Sequence, residues 1–232
     1  VRRRAAVRAR LVIPAVVVGS IFAAVGLVMT RTTVDAAIVF TTVLVLVVVV
    51  GSVLPWLAIG ATGTSVEQLY SHADITREPT PVDPRVVRDD ALVGHEILLA
   101  VSATVGALLV LTAPLAVTLG LASTLIAVAC CGVVMLRTRQ YRTGSEVLVG
   151  LASGILGLIT TAGAVLVVHP DWRATVAVVL AAAGALLLAG TFVPGSASVR
   201  RGRLADVAEV AALVALVPLL VLAVGLFDRV RG

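Results

Sequence analysis

Hydrophobic and polar positions alternate along this chain on the scale of whole segments rather than single residues. Apolar runs cover about Leu11–Met29, Ala36–Ile59, Val93–Ala113, Leu115–Leu136, Glu146–Val168, Ala174–Val193 and Leu204–Phe227, with the charges gathered between them. A helix needs roughly 20 apolar residues to cross a bilayer core, and a tilted barrel strand only about half as many. Inside hydrocarbon every backbone N–H and C=O must be satisfied within the protein, which leaves helices as the spanning structure for runs of this length. The pattern predicts an all-α, polytopic transmembrane bundle with about seven spans. Those spans differ in length, loop spacing and polar decoration, so no internal repeat of the transporter kind is visible.

Composition agrees: 59% of the residues are hydrophobic and 13% charged, and the mean hydropathy is +1.11. All 18 basic residues are Arg. The lack of Lys removes a P-loop lysine, a Schiff base and a Ser-Lys nucleophile pair, so any energy source must be a partner or an ion gradient. The adjacent Cys130 and Cys131 sit in an apolar run and read as packing residues. The chain starts at Val1 rather than Met, which leaves room for native sequence upstream.

Arg residues set the orientation, because cytoplasmic segments are enriched in them. Five precede the first span, in a basic segment at 1–10 that is followed by too long an apolar run to be a secretory signal. Arg77, Arg85 and Arg88, then Arg137, Arg139 and Arg142, then Arg200, Arg201 and Arg203 fall on the same side, leaving only Arg31, Arg173, Arg229 and Arg231 opposite. The N-terminus is therefore expected in the cytoplasm and the C-terminus outside. A cytoplasmic loop at about 60–92 carries three prolines, and Asp83-Pro84 is a good helix start. The third helix should begin there and protrude below the membrane with Arg85 and Arg88.

Candidate chemistry is sparse. Asp35, Glu146, Asp206 and Glu209 lie near the first turns of their spans, where a carboxylate favours the positive helix end. His95 and Glu96 sit about one turn into the third span, which suits a hydrogen-bonded interfacial role, a proton or ion site, or a partner contact. His72, His95 and His169 fall on different segments and should not share a metal. No zincin helix, nucleophile elbow or other hydrolytic motif is present, so neither an enzyme, a cofactor, a metal nor a nucleic-acid partner is expected.

Packing chemistry is plainer. Gly150 with Gly154, and Ser153 with Gly157, form small-x-x-x-small steps in the fifth span, and Ser102 with Gly106 form another in the third. Such steps let backbones approach closely, either within one subunit or between two. The aliphatic run Val43–Val50 suits lipid contact, while Trp56, Tyr141 and Trp172 suit an aromatic belt. Pro14, Pro114 and Pro218 could break helices, but Pro14 and Pro114 lie near span ends and only Pro218 is well inside a span.

Three boundary segments resemble one family. Arg137-Thr138-Arg139-Gln140-Tyr141-Arg142 leading into Glu146-Val147-Leu148-Val149-Gly150-Leu151, Arg200-Arg201-Gly202-Arg203-Leu204-Ala205-Asp206 followed by Glu209, and Leu54-Pro55-Trp56-Leu57 are similar to junctions of EccD, the multi-spanning subunit of type VII (ESX) secretion systems. The resemblance extends over nearly the whole chain and corresponds to the last seven of that family's eleven spans, without its ubiquitin-like domain. It implies a non-catalytic scaffold in the bacterial inner membrane. It further implies a homodimer around a lipid-lined vestibule, within a complex of EccB, the FtsK/SpoIIIE-like ATPase EccC, and EccE. On that reading Arg137, Arg139, Tyr141, Arg142, Arg85, Arg88, Arg200, Arg201 and Arg203 contact cytoplasmic partners or lipid headgroups. The competing reading from the residues alone is a small-molecule or ion permease, which requires a polar midplane or a broken helix.

Overall fold

The computed structural model describes residues 2–61, 84–141, 143–191 and 199–225. Within them seven long helices coincide with the seven apolar runs: α1 (Arg2–Arg31), α2 (Ala36–Ala61), α3 (Pro84–Ala116), α4 (Leu121–Arg137), α5 (Gly144–Val168), α6 (Arg173–Thr191) and α7 (Val199–Ala223). Among the described residues four apolar stretches are long enough to cross a membrane, Leu98–Leu119, Leu121–Gln140, Gly144–Val168 and Gly202–Ala223, and Val16–Arg31 and Ala36–Ser52 are shorter.

The starts and stops follow local chemistry. Asp35 caps α2, its Oδ1 accepting the Ala37 N–H at 2.9 Å, and α3 begins at Pro84, whose missing N–H costs nothing in a first turn. The break between the third and fourth spans differs from expectation. Helix α3 continues through Pro114, passes into a 3₁₀ turn over Val117–Leu119, and reverses at Gly120 with φ of 100°. Proline removes one hydrogen bond, whereas reversing the chain needs a positive φ, which glycine adopts without steric cost. For the same reason α7 runs unbroken through Pro218.

Buried hydroxyls are satisfied locally. Thr41, Thr112 and Thr161 donate to the carbonyls of Ala37, Leu108 and Gly157, one turn back on their own helices, at 2.7, 2.6 and 2.7 Å. Hydrocarbon offers no competing acceptor, so this back-bonding makes polar residues tolerable in the core.

Helix α4 lies at the centre, packed against α2, α3, α5 and α7. Leu44 and Val48 of α2, Leu109 of α3, Ile126 and Cys130 of α4 and Leu216 of α7 share one core. The Val43–Val50 run is thus divided rather than wholly lipid-facing: Leu44, Val45 and Val48 are buried, while Leu46 and Val50 are exposed. A helix with one kind of residue all round still has two faces, and α3 and α4 cover one of them.

The most extensive pairing is between α3 and α5. They run parallel, since Gly106 faces Ser153 midway along, His95 meets Glu146 at one end, and His169, just past α5, meets Val117 at the other. Burial against lipid brings little hydrophobic gain, so close van der Waals packing must hold such a pair. A Cβ on Gly154 would collide with Met135 and lie 3.2 Å from the Cys131 carbonyl oxygen, and one on Gly157 would lie 2.8 Å from Cys131 Sγ. By contrast, a Cβ on Gly163 would meet nothing within 4 Å. Gly154→Ala is therefore expected to destabilise the bundle by about 1–3 kcal/mol through overpacking. Gly163→Ala should be neutral or stabilising by up to about 1 kcal/mol. Reversible unfolding in mixed micelles compares the two, and equal effects would contradict the packing described.

Candidate functional site

The end of the bundle at which α2 and α4 finish and α5 and α7 begin carries most of the polar side chains. The parallel register of α3 and α5 brings His95 opposite Glu146, with Nδ1 2.7 Å from Oε1. Thr143 Oγ1 lies 3.4 Å from the same ring nitrogen and Ser145 Oγ 3.5 Å from Nε2. The Glu146 side chain is only 5% exposed. Its position in the first turn of α5 adds the favourable field of the helix start to the imidazole contact. A buried carboxylate is costly unless hydrogen-bonded, and His95 supplies that bond from a neighbouring helix. This joins two residues that sequence considered separately.

The 3₁₀ turn Thr138–Gln140, with Tyr141 after it, forms a second polar layer. Arg139 donates from one terminal nitrogen to Asp206 Oδ1 at 2.8 Å and to the Gly202 carbonyl at 3.2 Å. Next to it Gln140 Nε2 donates to Glu209 Oε2 at 3.0 Å. Asp206 and Glu209 are three residues apart on one face of α7, so two consecutive side chains of the turn meet two successive carboxylates. The turn thereby fastens the end of α4 to the start of α7. The Ser102 and Tyr141 hydroxyls are hydrogen-bonded at 3.2 Å, which ties the same turn to α3.

Arg137, the last residue of α4, points inward and is 6% exposed. One terminal nitrogen donates to the Ser52 carbonyl of α2 at 2.6 Å. Its Nε is buried with no hydrogen-bond partner among the described residues. Beside it a cavity of about 30 Å³ opens between α2, α3, α4 and α5. Its walls carry Ser52, Ser102, Arg137 and Tyr141 together with aliphatic side chains such as Val48, Val105 and Val133.

The structure distributes the remaining residues singled out from sequence as follows. Gly150 lies against Thr138 and Tyr141, Gly154 against Met135, Gly157 against Cys131 and Leu109, and Ser153 against Gly106, all inside this subunit. Ser102 lines the Arg137 cavity together with Gly150 of α5. Arg203 is exposed. Arg142, His72 and most of the long loop lie outside the described residues, as do the side chains of Arg85, Arg88, Arg200, Arg201 and Trp56. At the opposite end His169 Nε2 lies 3.0 Å from the Val117 carbonyl oxygen and its ring stacks on Trp172 at 4.3 Å. Among the described residues no three His, Cys, Asp or Glu side chains are grouped to hold a metal.

Sequence reading did not find the Gln140–Glu209 bond. The available signal was the Asp206/Glu209 spacing opposite an adjacent Arg-Gln pair, but nothing linear says that α4 ends beside the start of α7.

Seven apolar helices, internal satisfaction of their hydroxyls and a ring of polar ties at one end define a multi-pass helical-bundle membrane protein. Residues 2–232 match the EccD-like transmembrane domain, and the chain belongs to the EccD family. Among solved structures it is similar to protomer 1 of the ESX-3 core complex, with a TM-score of 0.67 and 17% identity over 94% of this chain and 51% of that one. It thus spans about half the length of that structure. No curated protein matches it by sequence.

The two polar ties should differ in strength. Arg139–Asp206 is exposed on both sides, at 38% and 63%, and exposed pairs couple by about 0.2–1 kcal/mol. For the sheltered His95–Glu146 pair a double-mutant cycle is expected to give about 1.5–3 kcal/mol, the range of a hydrogen bond to a charged group. Unfolding cycles on both pairs in the same micelle check the order, and a reversal would refute the assignment of His95 to helix joining.

Proposed function

We propose that this chain is a non-catalytic scaffold subunit of a type VII (ESX) protein secretion complex in the bacterial inner membrane. The observation that carries the proposal is the family match over residues 2–232. The likeness of fold to a protomer of the ESX-3 core complex supports it. On this reading the chain crosses the membrane seven times, with the basic 1–10 segment and the 60–92 loop in the cytoplasm and the C-terminus outside. Two copies line a lipid-filled vestibule, and EccB, the ATPase EccC and EccE complete the assembly.

The geometry suits such a role. Six polar side chains, His95, Glu146, Arg139, Gln140, Asp206 and Glu209, pair with one another across helices, as suits a helix-joining layer. The continuity of α7 through Pro218 likewise removes one of the broken helices that a permease would use. Partner and headgroup contacts fall to the exposed basic side chains of the cytoplasmic segments, with Arg203 and Arg139 among them.

Affinity purification of the tagged native protein under gentle solubilisation, followed by native mass analysis, tests the proposal. Recovery in a megadalton assembly with an FtsK-like ATPase is the expected result, and a lone monomer under conditions that preserve known complexes would overturn it. Replacing His95 and Glu96 together by Gln should leave secretion largely intact, as measured by export of a substrate. Abolished export with normal assembly would instead assign the pair a transport role.

A further inference from the structure

Arg137 Nε is, among the described residues, the one buried side-chain nitrogen or oxygen without a hydrogen-bond partner. The bond from Arg137 to the Ser52 carbonyl uses a terminal nitrogen and leaves Nε–H unengaged. An N–H that leaves water and gains no acceptor carries the full desolvation penalty of the group, which is larger when the group is charged. Buried polar groups in folded proteins are satisfied by protein atoms or by ordered water. For Arg137 Nε the first route is closed, and the second depends on what lies beside it.

The adjoining cavity, of about 30 Å³, has the size and the lining for such a partner. A water needs about 10–15 Å³ of free space and roughly three polar neighbours, so this cavity holds one molecule or two and excludes larger solutes. A void of the same size lined only by aliphatic groups stays dry, but here Arg137 shares the walls with Ser52, Ser102 and Tyr141. The Ser102–Tyr141 bond uses one of the two hydroxyl hydrogens of that pair, and Ser52 uses its own on the Val48 carbonyl. The remaining hydroxyl hydrogen and lone pairs on all three oxygens stay available. The lining thus offers both donors and acceptors, and a small molecule that itself accepts and donates engages both kinds.

We propose that this interhelical cavity is a binding site for ordered water, in which one molecule accepts from Arg137 Nε–H and donates to the Ser102–Tyr141 hydroxyl pair. Arg137 already holds α2 directly through the Ser52 carbonyl. The water extends the reach of the same side chain to α3 and to the turn that carries Tyr141. Solvent is then a fixed part of the joint at this end of the bundle, and Arg137, Ser102 and Tyr141 act as one unit rather than as separate ties. The site lies inside one subunit and does not depend on membership of a secretion complex.

Nuclear magnetic resonance of the full native protein in lipid nanodiscs, isotope-labelled at arginine, tests the proposal. The Arg137 Nε–H signal is identified by its contacts to the methyl groups of Val105 and Val133, which line the same cavity. It is expected to show cross-relaxation with a long-lived water and to exchange with bulk solvent several-fold more slowly than that of the exposed Arg203. A second measurement has opposite signs for a wet and a dry cavity. Val105 lies one turn beyond Ser102 on α3, and the methylene added in Val105→Ile points back toward Ser102. Displacing the water leaves Nε–H unsatisfied, so loss of the water contact and a lowered unfolding midpoint are expected. In a dry cavity the same methylene fills a void and raises the midpoint. If Val105→Ile does not fold, Ser102→Ala takes its place, with several-fold faster exchange of Arg137 Nε–H expected. The proposal is overturned by an Nε–H signal without a water contact, by exchange as fast as that of Arg203, or by a water contact that survives Val105→Ile. A raised midpoint in Val105→Ile, or unchanged exchange in Ser102→Ala, overturns it equally.

Discussion

The close approach of α5 to α3 and α4 is the contact on which the rest of this bundle depends. Lipid removes the hydrophobic drive that would hold helices together in water, so cohesion falls to dispersion and therefore to distance. Gly154 and Gly157 bring α5 onto the backbone and sulfur atoms of α4, and Gly106 admits Ser153 between α5 and α3. Once that spacing is set, the register follows. His95 comes level with Glu146, and His169 comes level with Val117 at the other end of the same pair.

Around this packed pair the two ends of the bundle are finished differently. One end is joined by charged and amide side chains, with Arg139 and Gln140 gripping α7. The opposite end relies on a glycine reversal at Gly120 and the stacked His169–Trp172 rings. Central α4 takes part in both, which explains why it is the helix that contacts α2, α3, α5 and α7 alike. Its terminal Arg137 is the one place where the polar accounting of the described residues does not close.

Much of this was legible in the sequence, for reasons that differ by level. Helix existence was plain because hydrocarbon leaves one way to satisfy a backbone, and the small-residue steps of α5 were visible because the spacing of four is a property of one helix. Pairing between helices was not. Nothing in the order of residues shows that Glu146 faces His95 or that Gln140 faces Glu209, since those contacts arise from how separate helices are arranged. The boundary at Gly120 is hidden in the sequence behind Pro114, because proline is the stronger helix breaker on paper although it disturbs a helix without reversing it. Arg137 and Arg139 look alike in a basic segment, yet two residues are about half a helical turn, which sends the first inward and leaves the second at the surface.

Helix α6 stands apart from the others: its contacts among the described residues are mainly with α5 and the short turn that precedes it, and its valines and leucines are largely exposed. Its place is one of parity. Because α5 and α7 both begin at the polar end, an intervening helix has to carry the chain back across before α7 can start. A segment that exists to return the chain is constrained in length and apolarity far more than in the identity of its side chains. It forms a hydrocarbon return path outside the set of helices packed around α4.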